Sequence, residues 1–479
     1  MNPLEIQEII DLVAACLEGK NLANCVRVSK TWRDLFLPHR WRTIRTGHVE
    51  GGGASRFGPD QDDIYNHRHL IQDLSLIGNA IRLDEYHFPS LRRLQIDLCG
   101  GTRTFSERYF VAVDTMAPFL VDLSLNLADM TPAFWETLAA HPHVRRLHLK
   151  SAEIKDDETP YFWEACRGLE SLEMQMVFIR GKGFPKDMVF DRLRKLVMRS
   201  TYQTGGASPL VIILQCPKLE SLDCLINCLL EDALDNHCVP NNYWPNLNKL
   251  HVDCHLEETE VLSMLNGVGN GLGNIIDLRL CNCRLGSKVF EALSLHFSTL
   301  VKVELETQDL GEGAVVLDML CFCPRLEVLL ARGVSSKDVE KRGPWVCQQL
   351  RELKIWFHFE SQERHLQELV FERVSTLTRL ERLIMECPIL DCEGRGDEVL
   401  VFQLGCGLGH LASLQQLTTV QFNVHFITSY NPEIDMEEVE WMVENWQKLE
   451  RITGQLNSGQ EKTDQLKKAF ESHGIAATQ

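Results

Sequence analysis

Apolar residues along this 479-residue chain follow two different periodicities. Near the start they recur at helical spacing: Leu4, Ile6, Ile9, Ile10, Leu12, Val13 and Leu17. Asn2 reads as a helix cap, Pro3 as the first helical residue, and Glu5 closes a capping arrangement. Gly19-Lys20-Asn21 is expected to break that helix. A second short helix runs from Leu22 to Val28, and Ser29 caps a third that carries Trp32, Leu35 and Phe36 and ends at Pro38. Three helices in about 40 residues bury little apolar surface. Such a block is either a docking element or a cap closing one end of a larger array.

From Leu70 onward the phrase L-x-x-L-x-L recurs instead. Copies include Leu91/Leu94/Ile96, Leu120/Leu123/Leu125, Val144/Leu147/Leu149, Leu193/Leu196/Met198, Leu278/Leu280 after Ile275, and Leu380/Leu383/Met385. Weaker ones begin at Leu414 and Leu449, and eleven of the fourteen intervals between first residues lie between 24 and 30. The last two apolar residues of a phrase are two apart, so both point to one face of a short strand and their neighbours point outward. No unit can bury its apolar face alone; stacking gives a continuous core and a parallel sheet. Helices are expected between phrases, most clearly at the near-duplicates Thr131–Glu136 and Thr159–Glu164, each with a Thr cap and a following Pro. The residue three before the first Leu is Cys166, Cys216, Cys323 or Cys347 in four units. In others it is aromatic, as at Phe88, Phe190, Trp244 and Phe297, and it marks a buried turn entering the strand.

These patterns predict an α/β fold: a three-helix block, then a curved solenoid with its parallel sheet on the concave side and helices on the convex side. The expected boundaries are 1–45 for the block, 46–65 for a Gly-rich linker around Gly51-Gly52-Gly53, 66–460 for about 14–15 repeat units, and 461–479 for a final helix and tail. Insertions interrupt the array at Ser200–Pro209, Asp232–Trp244 and Leu390–His410.

Charge narrows the function. The formal net charge is −18, while residues 1–45 carry seven Lys/Arg against five Asp/Glu, so the acidity belongs to the array. A broad nucleic-acid surface is disfavoured. No apolar run approaches the ~20 residues of a membrane span, and no secretory signal is read. Seventeen cysteines, an odd number, read as reduced thiols of a cytoplasmic or nuclear protein. Cys281-x-Cys283, Cys321-x-Cys323 and Cys224-x-x-x-Cys228 lack the C-x-x-C grammar of zinc sites, so no metal or other cofactor is expected. The glycine runs at 267–273 and 405–409 match no phosphate-loop pattern, and no hydrolase or metalloprotease motif occurs, which argues against an enzyme. Among outward positions, Arg93, Arg146, His148, Lys150, Lys195 and Arg199 form a candidate basic strip for a partner, with Trp356 as an exposed anchor. A plain solvated face fits the same residues.

One stretch carries a family resemblance. Pro3, Glu5 and Ile6, then Leu12, Leu22, Cys25, Val28-Ser29-Lys30-x-Trp32 and Trp41, resemble the F-box motif. The repeats resemble the cysteine-containing leucine-rich repeats common behind F-boxes. The resemblance implies that Pro3, Leu4, Ile6, Ile9, Leu22, Val28 and Trp32 face a Skp-type adaptor of a cullin–RING ubiquitin ligase. It also implies that the repeats hold an unidentified protein substrate. The alternatives are a repeat scaffold acting outside a ligase and a repeat-based enzyme regulator.

Overall fold

The computed structural model describes residues 6–46, 61–77, 87–97, 117–126, 130–180, 188–203, 212–225, 243–268, 274–306, 312–359, 364–385, 400–422, 434–457 and 459–478. The expectations for Asn2 to Glu5, for the linker glycines and for most of the three insertions lie outside these residues. The chain divides into two compact units, Met1–Leu219 and Glu220–Gln479.

The first unit opens with helices α1 (Gln7–Ala15), α2 (Gly19–Val28) and α3 (Lys30–Arg42). Ile10, Ala14, Leu22 and Phe36 form their core, with Leu17, Cys25, Val26, Trp32 and Leu35 packed around it. Ser29 caps α3 as expected, its Oγ accepting from the Trp32 N–H at 3.1 Å. Two expectations fail. Gly19 and Lys20 begin α2 instead of breaking α1, because the chain has already turned at Cys16–Glu18. Pro38 lies inside α3, which continues to Arg42. Proline costs one backbone bond there, and burial of Trp41 against the His67 ring (4.1 Å, stacked) anchors the extra turn.

Arg42 passes straight into strand β1 (Thr43–Thr46), which pairs in parallel with β2 (Asp73–Ile77). Helix α4 (Gln61–His67) precedes β2 and supplies His67. The block is thus joined to the sheet by a strand. Next come β3 (Arg93–Asp97), β4 (Asp122–Asn126), β5 (Arg146–Lys150), β6 (Glu153–Ile154), β7 (Ser171–Gln175), β8 (Phe178–Ile179), β9 (Lys195–Arg199) and β10 (Tyr202–Gln203). The long strands pair in parallel with Leu74, Leu94, Leu123, Leu147, Leu172 and Leu196 in one matched row. All six are buried. The short strands β6, β8 and β10 form a second small sheet.

The second unit repeats the scheme with β11 (Ser221–Leu225), β12 (Lys249–Asp253), β13 (Asp277–Cys281), β14 (Lys302–Glu306), β15 (Val328–Ser335), β16 (Glu352–His358), β17 (Arg382–Met385), β18 (Thr419–Phe422), β19 (Arg451–Thr453) and β20 (Ala476–Thr478). Its matched row is Leu222, Leu250, Leu278, Val303, Leu329, Leu353, Leu383, Val420 and Ile452. That register corrects one phrase: the copy read from Leu414 begins at Leu417, with Val420 and Phe422 inward. The tail after the final helix, Gln460–Ser472, adds strand β20.

Two local devices recur. In most units the first-Leu N–H bonds the carbonyl three residues earlier, as Leu169 does to Cys166 and Leu326 to Cys323, which buries the cysteine completely. At Leu300 the bond reaches one residue farther back, to His296, so His296 is buried and the expected Phe297 is not. The second device closes the strand. Ser151, Met176, Ser200 and Asn282, each two after the last apolar residue of its phrase, have φ of 51°, 52°, 49° and 57°. Ser151, Met176 and Asn282 donate across to Gln175, Arg199 and Glu306 carbonyls at 2.8 Å. Helices cover the inward face. Pro132–Ala140 is capped by Thr131, whose Oγ1 accepts from the Phe134 N–H. The helix Thr159–Cys166 differs: Glu158 is its cap residue, and Thr159 donates to the Lys155 carbonyl. Trp135 and Phe162 meet edge-on between these two helices at 4.9 Å.

Candidate functional site

Two surfaces answer to the sequence reading: the helical block and the outward rows of the strands. On the block, Pro3 and Leu4 lie outside the described residues. Ile6 and Ile9 are half-buried, and Val28 is 64% exposed. Trp32 is half-buried with its ring 5.3 Å from Phe36. Leu22 is 8% exposed and belongs to the block's own core, so it does not face outward. Leu12, one of the residues that carry the motif, and Val13 were not among the expected adaptor-facing residues, yet they are 69% and 40% exposed. The signal was available. Helix α1 has more apolar positions than one helical face can bury, so some must face solvent or a partner.

The outward rows of the first unit are not a basic strip. The residue before the second apolar position runs Asp73, Arg93, Asp122, Arg146 across neighbouring strands. Arg93 contacts Asp122 at 3.3 Å and Asp73 at 4.0 Å, and Arg146 contacts Asp122 at 3.6 Å. Lys195 pairs with Glu173 at 2.6 Å. Parallel in-register strands bring every repeat's equivalent residue together, so opposite charges at one repeat position neutralise each other. His148 and Lys150 have no ion-pair partner among the described residues. Arg199 ends β9 on the same face.

In the second unit the ladder thickens into a network. His251 sits between Asp277, 2.8 Å from its Nε2, and Asp223, 3.7 Å from its Nδ1. Burial pulls the His251 pKa down, but its hydrogen bonds to the two carboxylates outweigh that and the net shift is upward. Asp277 is lowered: burial raises it, and its bond to His251 overcomes that. Lys249 also reaches Asp277 at 3.5 Å. One strand on, Cys281, Glu304 and Glu306 bring three donor atoms within 4.8 Å of one another. The Arg279 guanidinium already holds this corner, 3.4 Å from the Cys281 sulfur and 3.5 Å from Glu304. Burial pushes the Cys281 thiol up to about 12, against the opposing pull of Arg279. Cys283 turns inward and donates to the Cys254 and Cys281 carbonyls, so Cys281-x-Cys283 does not converge.

Trp356 needs correction. It was expected as an exposed anchor, but it is 4% exposed. Strands β15 and β16 lose register between Leu330 and Gly333, so Ala331 and Arg332 together oppose Ile355. Past this bulge Trp356 lies opposite Gly333, where no side chain competes for space. The strand also continues inward with Phe357 and Phe359, both buried, beyond the short phrase the sequence marks. Among the described residues no helix is long and apolar enough to cross a membrane, and the twelve cysteines there are all free thiols.

No protein-family model matches this chain, and no curated protein does. Solved structures do. A PEPR1–AtPEP1 complex is 15% identical, with a TM-score of 0.38, over 78% of this chain and 48% of its own. A TLR13–ssRNA13 complex is 13% identical, with a TM-score of 0.40, over 85% and 64%. The LRR ectodomain of the Arabidopsis receptor kinase HAESA, in complex with an N-terminally extended IDA peptide, is 13% identical, with a TM-score of 0.39, over 81% and 65%. The chain thus spans about half to two-thirds of the length of these proteins. At such scores the likeness carries no argument. The leucine-rich-repeat architecture rests on the repeated phrase and the matched register of its parallel strands.

Proposed function

We propose that this chain is a non-catalytic target-recognition subunit of an SCF-type ubiquitin ligase. The N-terminal helices dock a Skp-type adaptor, and the outward strand rows hold a protein target. A separate ubiquitin-charged enzyme does the chemistry, and holding the target beside it raises the effective concentration. The supporting observation is the Val28–Trp32 stretch. Ser29 caps α3 and fixes the corner between α2 and α3, leaving Val28 exposed and Trp32 accessible at its start. Leu12 and Val13 add further exposed apolar surface on the same small block. Free thiols fit a reducing compartment, the cytoplasm or nucleus.

The test is co-purification of full-length protein with a Skp-type adaptor, comparing wild type with Val28→Asp and Leu12→Asp. Both sites are exposed, so the fold is retained. Loss of adaptor with an unchanged melting curve supports the reading. Equal capture by wild type and both variants, or no capture by any, removes it and leaves a repeat scaffold acting outside a ligase.

A further inference from the structure

We infer that the cleft between the helical block and the first strand is a binding site for a small molecule carrying two or more phosphate groups. The cleft has a volume of about 430 Å³ and is walled by α1, the start of α2, the end of α3 and β1. Arg40, Arg42 and Arg45 all line it. None of the three has an ion-pair partner among the described residues. On the outward strand rows Arg93, Arg146, Arg279 and Arg382 each meet a carboxylate. Arg27 and Arg33 of the block are unpaired among the described residues, like the cleft arginines, but line no cleft. The Arg40 guanidinium lies 6.0 Å from the centre of the Trp41 ring, and an anion in the cleft is attracted by all three positive side chains.

The one carboxylate in the lining is already engaged. Asp11 accepts from the Gln7 amide at 2.7 Å and lies 3.2 Å from His39 Nε2. The start of α2 adds backbone donors to the same wall. Glu18 gives it no side-chain cap, the first helical bond is Leu22 N–H to the Glu18 carbonyl, and Gly19 lines the cleft with nothing within 4 Å of where a Cβ would stand. Free N–H groups, a positive helix end and open space beside them suit a phosphate oxygen. Arginine forks bind phosphate bidentately, so three of them suit more than one group. The volume exceeds what one phosphate fills and lies within the range of small-molecule sites.

This site is separate from the proposed adaptor surface. On α1 the cleft takes Asp11, Ala14 and Ala15; none of Leu12, Val13 or Val28 lines it, and Leu12, roughly 60° around the helix from Ala15, flanks its edge. The inference therefore stands whether or not an adaptor binds.

The experiment is calorimetric titration of full-length protein with inorganic pyrophosphate, at low and at moderate salt. The variants are Arg42→Gln and Arg45→Gln, both exposed positions, with Arg33→Gln as an exposed control on α3 outside the cleft. Binding should weaken about tenfold in each cleft variant, weaken as salt rises, and stay unchanged in Arg33→Gln. Absence of pyrophosphate binding by the wild type overturns the inference. Equal loss in Arg33→Gln also overturns it, because attraction would then be diffuse. Binding of a phosphoserine peptide without binding of pyrophosphate overturns the small-molecule assignment in favour of a protein ligand.

Discussion

His251 Nε2 lies 2.8 Å from Asp277 Oδ1 across neighbouring strands, with Asp223 3.7 Å away on the other side. One imidazolium so placed offsets two carboxylates within three adjacent repeats. Its pKa is raised in the folded chain. The folded state therefore binds this proton more tightly than the unfolded one. The stabilisation is complete below the unfolded value of about 6.5 and is lost as pH rises through the folded value. His251→Gln should consequently cost most near pH 5.5 to 6 and progressively less above it. Melting temperatures of both proteins across that range check the sign; a gap that widens with rising pH contradicts it.

His296 should do the opposite. It is buried at the turn before Leu300, its Nδ1 has no hydrogen-bond partner among the described residues, and burial pulls its pKa down to about 4. Here the unfolded chain takes the proton first. Stability is full above about 6.5 and falls as pH drops toward the folded value, by on the order of 3 kcal/mol. Other units bury Phe88 and Phe190 at the corresponding turn. His296→Phe should remove the acid-side loss without lowering stability at pH 7.5. Denaturant titrations at pH 4.5 and 7.5 measure both.

The contrast between these histidines shows what the sequence could and could not carry. Leu147, Leu149 and their counterparts were legible because the spacing of two within each phrase dictates which face is buried, and the register followed from it. The charge ladder was not, because Arg93 and Asp122 are 29 residues apart and meet only after strands align. The buried identity of His296 over Phe297 depended on one extra residue in a turn, and that of Trp356 on a bulge opposite Gly333. Neither event leaves a periodic trace. The helical block was half legible: Ser29 announced its cap, but Leu22 and Leu12 are alike in the sequence and differ only in which side of their helices meets Phe36.

The strand-closing left-handed residues hold strain that glycine would relieve. Met176 has φ of 52° and is 41% exposed, so truncation gives up only part of a side chain's packing. Met176→Gly should stabilise the chain by about 0.5–1 kcal/mol, and Met176→Val should destabilise it by at least as much, since a β-branched residue tolerates positive φ least. Urea midpoints of the two variants should move in opposite directions from wild type.

Gly454 is the reverse case. It has φ of 105°, and a Cβ there would stand 2.5 Å from the Phe422 carbonyl oxygen. The backbone of one repeat presses directly on the preceding one, and Gly454 N–H also bonds the Thr478 carbonyl. Gly454→Ala should cost about 2–4 kcal/mol. Gly405→Ala, with nothing within 4 Å of its Cβ position, should be nearly neutral. A cooperative loss of stability in Gly454→Ala alone identifies this contact as the cause.

Leu22 and Val28 lie on the same helix and differ only in where they point. Leu22 shares the block's core with Ile10, Ala14 and Phe36, while Val28 is mostly in solvent. Leu22→Asp buries an unpaired carboxylate and removes core packing, and should cost about 3 kcal/mol or more locally. Its effect should appear as lost protection of the α1–α3 amides in hydrogen exchange. The strands from β3 onward, which do not contact Leu22's core, should exchange as in wild type. Val28→Asp should leave exchange unchanged everywhere. If Val28→Asp also melts the block, then Val28 is held by the block itself, and its exposure is no longer evidence for a partner.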